Sequence, residues 1–95
     1  DIDNYFQHII TSSDVSAPKP SPIPYQQAMS MLHSSPEETM IIEDSSSGLR
    51  SAVDSGAMVI GLPTTLNASQ IHQIHNSIIV LDNYSEIRNF LDSNK

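Results

Sequence analysis

The chain contains no cysteine and no tryptophan, and only two phenylalanines, three tyrosines and three glycines among its 95 residues. Without cysteine there are no disulfides, no thiolate metal sites and no thiol nucleophile, which excludes a disulfide-stapled secreted mini-protein. With so few rings, the core must be built from Ile, Val, Leu and Met, and it will be thin. Cations are scarce as well: four Lys and Arg stand against eleven Asp and Glu, for a formal charge of −7. That sign is wrong for neutralising a phosphate backbone, so nucleic acid is not an expected partner. No apolar run approaches the roughly 20 residues of a membrane span, and the first residues carry neither a basic region nor an apolar stretch of signal-peptide length. The expectation is a soluble, cytoplasmic protein with no membrane partner, and its length allows one domain over residues 1–95.

What the chain does have is a rhythm. Short apolar, β-branched runs at His8–Thr11, Met40–Glu43, Met58–Gly61 and Ile78–Leu81 alternate with longer segments of mixed polarity. Continuous apolar runs belong to strands buried on both faces, as in a parallel sheet covered by helices, so the fold class is α/β. Between the runs, Pro22 to Ser34 sets Tyr25, Ala28, Met29 and Leu32 at helical spacing, with Pro24 suited to a first turn. Ser45 to Ser55 puts Leu49, Ala52 and Val53 on one stripe, with Gly56 where a left-handed cap is wanted. Helices are also expected over Asn67–His75 and Tyr84–Leu91, and Ala17 to Pro24, with four of the six prolines, reads as a stiff extended connection. Met29, Met31 and Met40 read as core filler.

Two places could carry chemistry. Glu43 and Asp44 end an apolar strand just before Ser45-Ser46-Ser47-Gly48 opens a helix, and open α/β sheets bind ligands at such ends. Adjacent carboxylates offer hard oxygen ligands for Mg²⁺, and the helix N-terminus favours anions. The competing use of Asp44 or Ser45 is simply to cap that helix. Lys19, held in Lys19-Pro20-Ser21-Pro22, is an ammonium on a stiff loop, able to orient a phosphoryl group and offset negative charge. His72 and His75 lack a further zinc ligand nearby and read as surface residues. Ser12, Ser13 and Asp14 lack a paired base and read as a strand-end turn.

These motifs in this order, with Tyr5-Phe6 ahead of the first strand and Gly56-Ala57 ahead of the third, resemble the haloacid dehalogenase-like (HAD) hydrolases. Within them, the resemblance is to the beta-phosphoglucomutase and phosphoglycolate phosphatase branch. It implies a Rossmann-like core, Mg²⁺-dependent phosphoryl transfer through an aspartyl-phosphate, and small phosphorylated metabolites as substrates. By it, Lys19 contacts the phosphoryl group and the nucleophile. Glu43 and Asp44 form the acidic metal-binding pair, with Asp44 the direct Mg²⁺ ligand, and Ser45 and Ser47 support them with hydrogen bonds.

The resemblance covers the later part of such an enzyme, roughly Tyr5 to Leu91. The family's Asp-x-Asp motif, its Ser or Thr motif and its cap all come earlier in the family's order. Asp1-Ile2-Asp3 spells an Asp-x-Asp but has no strand ahead of it to hold a catalytic carboxylate. Ile23 stands where the family usually has Asp. In the resembled fold two further strands lie between the run at Ile9-Ile10 and the run at Met40–Glu43. The expectation is therefore a partial Rossmann-like sheet lacking its first strands and its cap, inactive alone. It would be completed by the missing N-terminal part of the same protein or by a sheet-completing homo-oligomer. The alternative is a non-catalytic Rossmann-like module for protein interaction or anion binding, with the acidic pair serving as a helix cap.

Overall fold

The computed structural model describes residues 8–11 and 22–93. The elements run β1 (His8–Thr11), α1 (Ile23–Met31), β2 (Thr39–Glu43), α2 (Ser46–Asp54), β3 (Met58–Gly61), α3 (Ala68–Ile74), β4 (Ile79–Val80) and α4 (Tyr84–Ser93), with a 3₁₀ turn at Pro36–Glu38 between α1 and β2. Each strand pairs in parallel with the next, giving one sheet of order β1-β2-β3-β4.

Both faces of this sheet are covered over β2 and β3, which is why those strands read as continuous apolar runs, whereas on β1 Ile10 is buried and Ile9 on the other face is 44% exposed. On one face Ile10, Ile41 and Val59 pack with Tyr25 and Met29 of α1, Leu49 and Ala52 of α2, and Ile71 of α3. On the other, Met40, Ile42 and Ile60 pack with Ile87 of α4, flanked by Phe90 and Leu91. All five residues of β2 are buried. Three helices therefore lie on one side and the last helix on the other.

Local chemistry sets the helix ends. Pro24 lies in the first turn of α1. Ser45 caps α2 by accepting the Gly48 N–H at 3.1 Å, and Gly56, at φ 91°, takes the left-handed turn after it. Asn67 and Gln70 form a reciprocal capping box at α3.

Three expectations are corrected. Met31 is 81% exposed rather than core filler, because it lies about 200° around the helix from the buried Met29. Leu32, expected on the buried stripe, is exposed because α1 ends at Met31. The run Ile78–Leu81 forms only a two-residue strand, although Ile78 is buried. One further relationship differs from the resembled fold: β1 pairs directly with β2, His8 opposite Thr39 through Thr11 opposite Ile42. That pairing satisfies backbone donors and acceptors on two strand edges that would otherwise be left open to other chains.

Candidate active site

β2 delivers Glu43 and Asp44 to the carboxyl edge of the sheet, and the two neighbours receive opposite surroundings. Glu43 is buried, at 2% exposure. Its Oε1 accepts the Asp44 N–H at 3.0 Å, and the Ser45 N–H and hydroxyl at 3.4 Å each. Its Oε2 accepts the hydroxyl of Tyr25, a residue with no exposure on α1. The carboxylate thus lies beneath the first turn of α2, where backbone N–H groups and the helix dipole favour negative charge. Gly48 makes room for it, since a Cβ at position 48 would overlap the Glu43 carboxyl group.

Asp44 is half-buried and turns toward the rim. Its Oδ2 accepts the Thr64 hydroxyl at 3.1 Å, from the loop between β3 and α3. That loop is held close because the Leu62 N–H donates to the Glu43 carbonyl at 2.9 Å. Ser47, also half-buried, sits in the first turn of α2. The structure therefore gathers Glu43, Asp44, Ser45 and Ser47 around one strand-to-helix turn. Lys19 lies outside the described residues, as do Asp1, Asp3, Ser12, Ser13 and Asp14.

Among the described residues no three or more His, Asp or Glu side chains form a metal cluster. Mg²⁺ does not require one: it is commonly held by one or two carboxylates, with waters and substrate oxygens filling the remaining positions. An available Asp44 oxygen beside serine and threonine hydroxyls has that hard-donor chemistry, as one half of a site. His72 and His75 are exposed and tied to nearby backbone, His72 Nε2 standing 3.1 Å from the Ile78 carbonyl and His75 Nδ1 accepting the Ser77 N–H at 3.1 Å.

Tyr25, Gly48 and Thr64 were not legible as site residues. Tyr25 read as helix core, yet a buried phenol needs a partner for its hydroxyl, and a carboxylate at a strand end is one. Thr64 follows an apolar strand at the ligand-binding end of an α/β sheet, and that position was its signal.

A parallel α/β sheet with an acidic strand end under a helix N-terminus defines the class as Rossmann-like. The sequence profile of the haloacid dehalogenase-like hydrolases matches residues 1–62, and the chain belongs to that family. It is 28% identical over 86 residues to "Pyrophosphatase PpaX" of Bacillus mycoides (strain KBAB4), covering 90% of this chain and 40% of the relative. It is 32% identical over 80 residues to "Validoxylamine A 7'-phosphate phosphatase" of Streptomyces hygroscopicus subsp. limoneus, covering 84% of this chain and 36% of the relative. Among solved structures, a HAD-superfamily hydrolase from Ehrlichia chaffeensis superposes with a TM-score of 0.62 at 29% identity, covering 88% of this chain and 36% of that one. The chain thus spans about two-fifths of the length of the relatives it matches. Among the described residues, no helix is long and apolar enough to cross a membrane.

Proposed function

We propose that this chain is the later part of the core of a cytoplasmic, Mg²⁺-dependent phosphatase or phosphomutase acting on small phosphorylated metabolites of the sugar phosphate class. The observation that carries the reading is the placement of Asp44: its carboxylate is at the sheet's carboxyl edge, bonded to Thr64, while Glu43 beside it is held inside. In this reading Asp44 is the direct metal ligand and Glu43 the second member of the acidic pair. Ser45 and Ser47 supply supporting hydroxyls, and Lys19 contacts the phosphoryl group and the nucleophile. A bound Mg²⁺ would neutralise charge on the phosphoryl oxygens. The chain's own residues would orient and balance: Asp44 would hold the cation, and Lys19 would offset the remaining negative charge.

The attacking aspartate would come from outside these 95 residues, either from an N-terminal part of the same protein or from a partner chain, whose strands would displace the direct β1–β2 pairing. The chain alone is therefore expected to be inert. The test is hydrolysis of a generic aryl phosphate, with and without Mg²⁺, by the naturally expressed polypeptide and its Asp44→Asn variant. Metal-dependent turnover that falls by orders of magnitude in the variant supports the reading. Equal, metal-independent activity in both removes Asp44 from the mechanism and favours the non-catalytic module.

A further inference from the structure

Resting on that reading of Asp44, we infer that Tyr25 is a positioning residue of the metal half-site: its hydroxyl holds Glu43 beneath α2, and Glu43 in turn fixes the turn that presents Asp44. The chain of contacts is continuous. Tyr25 donates to Glu43 Oε2, and Glu43 Oε1 accepts the backbone N–H groups of Asp44 and Ser45. Thr64 in turn donates its hydroxyl to Asp44 Oδ2.

Each link has a physical reason. A buried carboxylate oxygen without a donor carries a large desolvation penalty, so loss of the phenol hydroxyl favours rotation of the Glu43 carboxylate toward water. Rotation removes the acceptor from the Asp44 and Ser45 N–H groups and frees the turn. The two carboxylates thereby divide their work, one holding the turn and the other facing the rim. Tyr25 also stands in the first turn of α1, six positions after Lys19 in the sequence. The same hydroxyl therefore ties the helix that follows the lysine segment to the acidic turn.

The experiment is calorimetric titration of Mg²⁺ alone into the naturally expressed polypeptide and its Tyr25→Phe and Asp44→Asn variants, alongside amide exchange at Asp44 and Ser45. Tyr25→Phe removes one oxygen and keeps the ring. It is expected to weaken Mg²⁺ binding by about 10-fold or more, in the range seen when partners behind a metal ligand are lost, and to speed exchange at both amides. Wild-type Mg²⁺ affinity in folded Tyr25→Phe overturns the positioning role, even if the melting temperature falls. Undiminished Mg²⁺ binding in Asp44→Asn instead overturns the half-site reading beneath it. Should Tyr25→Phe fail to fold, Gly48→Ala displaces the same carboxylate from the other side and is expected to weaken Mg²⁺ binding similarly. Unaltered affinity there is the overturning result.

Discussion

The Thr64 hydroxyl donates a hydrogen bond to Asp44 Oδ2 across 3.1 Å, joining residues twenty positions apart in sequence. It links the loop after β3 to the turn after β2 and restrains the carboxylate proposed as metal ligand. Thr64→Val keeps the branched shape and removes the donor. Mg²⁺ affinity is expected to fall several-fold, while the unfolding free energy without metal stays within about 1 kcal/mol of wild type, because the bond is exposed. Calorimetry and urea denaturation read the two effects separately, and unchanged affinity counts against a role for Thr64.

Ser45 is the N-cap of α2, its side chain accepting the Gly48 N–H. Ser45→Ala is expected to lower stability by about 1 kcal/mol, while Ser45→Thr, which preserves both the capping oxygen and the hydroxyl that donates to Glu43 Oε1, loses much less. A denaturant series on the three proteins checks the ordering.

Gly48 is in a helix, where alanine would ordinarily gain about 1 kcal/mol over glycine. Here the added methyl would overlap the buried Glu43 carboxyl group. Gly48→Ala is therefore expected to destabilise by about 1–3 kcal/mol, and a stabilised variant in thermal melts would contradict the packing described.

How much of this could be read from the residues depended on which forces decide each feature. The strands at His8–Thr11 and Met58–Gly61 match the apolar runs residue for residue, and α2 and α3 begin and end at their capping residues. Those features are set by local periodicity and side-chain capping, which sequence displays directly. The division between Glu43 and Asp44 was not legible. It depends on Tyr25 arriving from α1 and Thr64 from the loop after β3, contacts that exist only once the sheet has assembled. The direct pairing of β1 with β2 is likewise a matter of edge satisfaction, which no local pattern encodes.

His33 and Gly56 make a matched pair, both with positive φ, at 54° and 91°. A left-handed backbone costs a non-glycine residue about 1 kcal/mol or more. His33→Gly, at an exposed position just past α1, is expected to raise stability by roughly 0.5 kcal/mol, and Gly56→Ala to lower it by about 1 kcal/mol. Melts of both variants check the opposite signs.

The most direct measurement is a crystal structure of the naturally expressed polypeptide with Mg²⁺ and a phosphoryl-group mimic. The account predicts a cation about 2.1 Å from an Asp44 carboxylate oxygen, the Lys19 ammonium facing the mimic on the same rim, and the Glu43 carboxylate still beneath α2. A cation bound away from Asp44, or Lys19 on the opposite side of the sheet, would contradict it.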